Sequence, residues 1–197
     1  VGGPLPGEGN LFGPNGINRA RCPAPQVEPP PYAQTVAAGE GMGVWAVQGN
    51  RYVDLQGMAV DLVANGYNQP QRLPNDAGDV DPLGANRGQN FPVISAFATA
   101  GDQINLTYRV DSTTANSFYP LSIEFLKDDG RGNLTPIGTD VYTAAEAQTD
   151  KAISFTLPAG VTLGANDVVV ATATTTPVAS PGPSDNASGE TSETTFY

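Results

Sequence analysis

The run Asn75-Asp76-Ala77-Gly78-Asp79-Val80-Asp81 holds the residues whose types and spacing come closest to a chemical site. Asp76, Asp79 and Asp81 supply hard carboxylate oxygens at short intervals around a glycine, the donor type that Ca²⁺ takes. The run has neither the ligand order of an EF-hand loop nor its closing bidentate glutamate, so a solvated acidic turn competes with a Ca²⁺ site as its reading. A second group, Asp54, Asp61, Asp102, Asp111 and Glu124, contains carboxylates of the kind that pair in glycoside hydrolysis. Strand periodicity puts Asp61 and Glu124 opposite the apolar residues of their strands, on faces expected to be solvated. A sugar platform would also need aromatic rings, and Trp45 is the single tryptophan.

Residue types exclude most other chemistry. The chain has no histidine, which removes Ser-His-Asp and Cys-His nucleophiles and imidazole metal sites. Cys22 is the only cysteine, so intrachain disulfides, thiolate zinc sites and iron–sulfur clusters are excluded too. An odd thiol leaves either an incidental cysteine or a disulfide between chains. Neither a Walker loop nor a Rossmann glycine fingerprint is present. The expectation is a non-enzymatic protein with no cofactor beyond the Ca²⁺ alternative.

Charge narrows the partners. The net charge of −11 opposes binding to phosphate backbones and to anionic membranes, and no Lys/Arg cluster offsets it. No apolar run approaches the roughly 18 residues of a membrane span. Asn105-Leu-Thr, Asn133-Leu-Thr and Asn186-Ala-Ser match the glycan acceptor pattern, which keeps glycans among the partners.

The elements that would position these residues read as strands. Gly (23) and Pro (18) are abundant, and charged residues make up only 15%, against roughly 25% in an ordinary soluble domain. Gln103–Val110 alternates cleanly, with Ile104, Leu106, Tyr108 and Val110 on one face. Leu121, Ile123 and Phe125 do the same in Leu121–Leu126, followed by an Asp128-Asp129-Gly130 turn. Met42–Gln48, Tyr52–Leu55, Met58–Ala64, Phe91–Thr99, Pro136–Tyr142, Ala152–Leu157 and Asp167–Thr174 complete the set, with a helical turn at Ala144–Gln148 capped by Thr143. This predicts an all-β fold: an antiparallel β-sandwich of about eight or nine strands, Ig-like or jelly-roll, spanning residues 42–176.

Three segments fall outside that pattern. Residues 1–41 are an extended Gly/Pro-rich N-terminal arm whose apolar residues follow no period. Its first 31 residues have too little to bury to offset about 1–2 kcal/mol of backbone ordering per residue. Residues 65–90 form a long loop, of the kind that is functional or interface-forming in compact domains. Residues 177–197 are a low-complexity linker ending in the strand-prone Ser192–Tyr197.

The functional expectation is a self-assembling structural subunit, a homo-oligomer or polymer of an extracellular filament or a virion shell. Leu5, Leu11, Phe12 and Ile17 of the arm and Phe196 and Tyr197 of the tail are the expected anchors on neighbouring subunits. The alternative is a secreted glycan- or surface-binding sandwich using loop 65–90.

Overall fold

Alternation in the second half of the chain becomes a ladder of long antiparallel strands. The computed structural model describes residues 9, 11–12, 36–38, 47–53, 59–62, 74–80, 88–175 and 191–192. Four short strands come first: β1 (Leu11–Phe12), β2 (Val36–Ala38), β3 (Arg51–Tyr52) and β4 (Val60–Leu62). Six longer ones follow: β5 (Val93–Ala100), β6 (Gln103–Arg109), β7 (Leu121–Asp128), β8 (Leu134–Tyr142), β9 (Lys151–Thr156) and β10 (Val168–Thr175). A 3-10 turn at Ala144–Glu146 stands where the helical turn was expected. Its cap is Thr143, whose N–H donates to Glu146 Oε2 at 2.7 Å.

The strands form a five-stranded sheet in the order β1-β3-β8-β7-β10, a three-stranded sheet β5-β6-β9 and a pair β2-β4. The fold is all-β, as the sequence predicts, and its two larger sheets are compatible with a sandwich. Pairing is not antiparallel throughout: β1 lies parallel to β3, and β2 parallel to β4. Both parallel pairs use residues of the expected arm, which therefore contains paired strands at 11–12 and 36–38. Of the strand expected at Met42–Gln48, only residues 47–48 are described. Loop 65–90 is described at 74–80 and 88–90.

The main core lies between the two larger sheets. Ile104, Leu106 and Tyr108 of β6 meet Leu121, Ile123 and Phe125 of β7 and Val169, Ala171 and Ala173 of β10. Each large side chain fully buried here contributes about 1.5–3 kcal/mol of transfer free energy. The β7–β8 hairpin turns as expected at Asp128-Asp129-Gly130. Asp129 Oδ1 accepts the N–H groups of Arg131 (2.8 Å) and Asn133 (3.2 Å), and Gly130 takes φ +68°.

A second cluster covers the other face of the five-stranded sheet. Val47, Tyr52, Ala59 and Val60 pack on Leu126, Leu134 and Val170. Strands β7 and β10 are thus buried on both faces. This corrects the sequence expectation for Glu124, whose face is covered by Val47, Tyr52, Ala59 and Val60 instead of solvent, leaving it 6% exposed. The alternation of β7 reports one buried face; the other is buried by a segment distant in sequence.

Candidate functional site

Segments near the chain ends finish both edges of the five-stranded sheet. At one edge β1 adds beside β3, with Leu11 opposite Arg51 and Phe12 opposite Tyr52. Gly9 lies so close to the turn at Gly49 that a Cβ there would fall 1.6 Å from the Gly49 carbonyl oxygen, so this approach requires glycine. Leu11 itself remains 68% exposed. At the other edge Thr191 bridges Thr174 of β10 in antiparallel fashion. The other expected anchors, Leu5, Ile17, Phe196 and Tyr197, lie outside the described residues.

Strand β5 is an end strand of the three-stranded sheet and carries no charged residue along its eight positions. A bulge between Ile94 and Ala96 shifts its register against β6, and every residue from Ser95 to Ala100 is exposed. Val93 is 49% and Phe97 45% exposed. Natural edge strands are usually guarded by lysine, proline or a covering segment. Both lysines of this chain are committed elsewhere: Lys127 pairs with Asp167 at 2.8 Å, and Lys151 with Asp140 at 2.9 Å and Glu146 at 3.1 Å.

The acidic run forms a polar knot under the β6–β7 connection. Asp79 is buried; its Oδ1 accepts the Asn90 N–H at 2.9 Å, and its Oδ2 accepts from Gln89 Nε2 at 3.1 Å and from Ser117 Oγ. Asn75 and Phe91 exchange two bonds, Asn75 Nδ2 to the Phe91 carbonyl and Phe91 N–H to Asn75 Oδ1. Asn90 Nδ2 donates to the carbonyls of Asp76 and Asp111 at 2.8 and 2.6 Å. Asp76 Oδ2 accepts the Val80 N–H at 2.8 Å, while its Oδ1 is buried without a hydrogen-bond partner. Asp81, the third carboxylate of the Ca²⁺ reading, lies outside the described residues. Among the described residues no three Asp, Glu, His or Cys side chains converge on a metal position. The backbone and amide donors converging on Asp79 were not legible from acidic spacing, because they come from Gln89, Asn90 and Ser117.

The hydrolase carboxylates are scattered. Asp102 is exposed in the β5–β6 turn, and Glu124 lies on the far side of the five-stranded sheet from the main core. Asp111 accepts from Gln148 Nε2 at 2.7 Å and pairs with Arg109 at 3.6 Å. It also borders an open hollow of about 240 Å³ lined by Val93, Ser95, Arg109, Asp111 and Asp150, and none of these described residues offers a ring on which a sugar would stack. Asp54 and the Asp61 and Trp45 side chains lie outside what is described. Of the glycan acceptors, Asn105 is exposed on β6, Asn133 uses its Nδ2 on Asp129 Oδ2 at 2.7 Å, and Asn186 is outside the described residues.

Glu124 ties the N-terminal half to the sheet. Its Oε1 accepts the Gly49 N–H at 2.8 Å. Burial pushes its carboxyl up to about 7, with the Gly49 N–H opposing the shift. The Tyr52 hydroxyl is pushed up by its own burial and then by the Glu124 charge. The folded protein therefore holds a proton on Glu124 that the unfolded chain releases above its ordinary value of 4.5. The stability this contributes is fully present below that value, falls as pH rises, and is lost once pH passes about 7. The difference amounts to roughly 3 kcal/mol across that window. Glu124→Gln should flatten the slope, so that urea midpoints at pH 5 and pH 8 differ less than in the parent and the variant is the more stable at pH 8. Identical slopes in the two proteins would rule Glu124 out as the titrating group.

No protein family, no curated protein and no solved structure matches this chain.

Proposed function

We propose that this chain is a non-enzymatic structural subunit that assembles with copies of itself by strand addition, as part of an extracellular filament or a virion shell. The observation that carries the reading is that both edges of the five-stranded sheet are finished by segments near the chain ends, β1 and Thr191. A terminal segment that adds to an edge in its own subunit makes the same backbone bonds when it adds to a neighbour, and alternate side chains then set the register. Strand β5 is the matching acceptor: eight uncharged residues at the end of a sheet, with Val93 and Phe97 at the surface. Ca²⁺ at Asp76, Asp79 and Asp81 stays a secondary proposal, tested by EDTA below.

Strand order supports the immunoglobulin-like alternative over the jelly roll. β5 and β6 pair as a hairpin in one sheet, β7 and β8 in the other, β9 returns beside β6, and β10 returns beside β7. In that arrangement the place beyond β10 belongs to a last strand, antiparallel to it. The bridge at Thr191 has that direction.

Sedimentation and negative-stain imaging of the full chain, of Phe97→Lys and of a chain lacking residues 1–31 test the reading. Full-length protein should form regular polymers or closed shells, and a lysine on the β5 edge should shift it at least tenfold toward monomer. The shortened chain should assemble poorly. A monodisperse full-length monomer at high concentration overturns the reading. Assembly unchanged by either alteration removes β5 and the arm as its elements.

A further inference from the structure

We infer that β5 pairs antiparallel with β5 of a second copy of this chain, across a twofold axis at Ala98. The inference rests on the reading that copies meet at the β5 edge, and it names the partner strand, the register and the symmetry of that contact.

The ladder fixes which backbone groups of β5 are available. The Leu157 N–H donates to the Asp102 carbonyl at 2.8 Å, so alternate residues from Asp102 onward, Ile104 and Leu106 among them, turn their backbone groups toward β9. Gln103, Asn105 and Thr107 therefore bond to β5, opposite Ala100, Ala98 and Ala96. Phe97 and Thr99 are left with N–H and C=O groups directed at the open edge, where no described strand lies. Side chains follow the same register. Phe97 opposes Leu106 and Thr99 opposes Ile104, so both share the face of the main core, yet Phe97 is 45% exposed. Ala96, Ala98 and Ala100 occupy the outer face.

A second β5 fits this edge better than the other edge strands described. β1 and β2 already pair within their own chain, and β9, the other end strand of the same sheet, carries charge at Lys151. β5 carries none, so two copies with a net charge of −11 meet along it without opposing like charges. Setting Phe97 against Thr99 of the second copy, and Ala98 against Ala98, uses the whole run from Ala96 to Ala100 between the bulge and the Gly101-Asp102 turn. This register joins the outward backbone groups of both strands as hydrogen-bonded pairs. It also sets the two Phe97 residues diagonally, about 7–8 Å apart and within reach of aromatic rings. The two Asp102 carboxylates stand at opposite ends of the contact. A run this short buries far less than the roughly 1,200–2,000 Å² of a stable interface, so the pair forms and separates with concentration.

Two measurements on the full chain test this. In a Cys22→Ser background, Ala98→Cys places its thiol opposite the same thiol of the second copy, at a non-hydrogen-bonded pair with Cα atoms about 4.5 Å apart. Mild oxidation should give roughly tenfold more disulfide-linked dimer than Ala100→Cys, an exposed position whose two copies stand too far apart to bridge. Amide exchange should slow at Phe97 and Thr99 as concentration rises, while Ala98, already bonded to β6, should not change. Equal linking of the two variants, or exchange at Phe97 and Thr99 that ignores concentration, overturns the inference. Assembly of the full chain without linking at Ala98→Cys also overturns it, leaving the edge to chain-end segments and the assembly reading intact. A linked dimer that never grows into a polymer or shell would instead defeat that reading and leave this inference standing.

Discussion

Asp79→Ala is expected to cost about 3–5 kcal/mol of folding stability, read as a lowered urea midpoint at unchanged slope. The carboxylate is buried and accepts the Asn90 N–H, the Gln89 amide and the Ser117 hydroxyl. Removing it strands those donors away from water, which costs more than the bonds themselves contribute. Asp79 also sits at φ +61°, a left-handed conformation that aspartate and asparagine tolerate and alanine resists by roughly 1–2 kcal/mol. Asp79→Asn separates the two effects. It keeps the backbone preference but turns an NH₂ group toward one of the donors, so it should recover only the conformational part. If Asn restores parental stability, the carboxylate bonds contribute little and the argument fails. The Ca²⁺ reading of Asp76, Asp79 and Asp81 predicts something else: EDTA would lower the Tm of the parent and leave Asp79→Ala unmoved. A knot closed by Gln89, Asn90 and Ser117 predicts no shift with EDTA in either protein.

The contrast between Asp79 and Glu124 shows what a sequence of this kind reveals. Period-two alternation marks β6 and one face of β7, because a half-buried strand writes its burial into every second residue. It also finds the Asp129-Gly130 turn and the Thr143 cap, where local chemistry alone decides the backbone. Glu124 looks solvated by the same rule, yet Val47, Tyr52, Ala59 and Val60 cover its face, and nothing local to β7 announces that cover. β10 gives the same lesson in apolar form: Val168 and Val170 suggest one inward face, but Val169, Ala171 and Ala173 line the larger core. The parallel pairings of β1 and β2 are hidden for another reason. Two- and three-residue strands carry no period, and their partners are chosen by geometry elsewhere. In the candidate assembly surface, β5 was legible as a strand, but its exposure on both faces follows from its end position and its bulge.

Phe125→Ala should be the other severe lesion, at about 3–5 kcal/mol, because it empties the place where the two larger sheets lock together. The Phe125 ring is fully buried, meets Tyr108 edge-on at 5.4 Å and stacks on Phe155 at 5.6 Å. Its cross-strand partner on β8 is Gly138, and the Phe155 ring occupies the space where a side chain at that position would stand. A Cβ on Gly138 would lie 2.7 Å from Phe155, so the glycine exists here to admit the ring from the opposing sheet. The two positions are therefore coupled. Phe125→Leu should cost far less than Phe125→Ala, since it retains most of the volume. Gly138→Ala should destabilise the parent by displacing Phe155, and much less so in a Phe155→Ala background, where the ring it opposes is gone. Equal costs of Gly138→Ala in both backgrounds would mean that the ring does not fix the sheet spacing. Because this lock lies between the sheets and away from the β5 edge, refolded Phe125→Leu should still assemble. That separation distinguishes loss of the fold from loss of the proposed function.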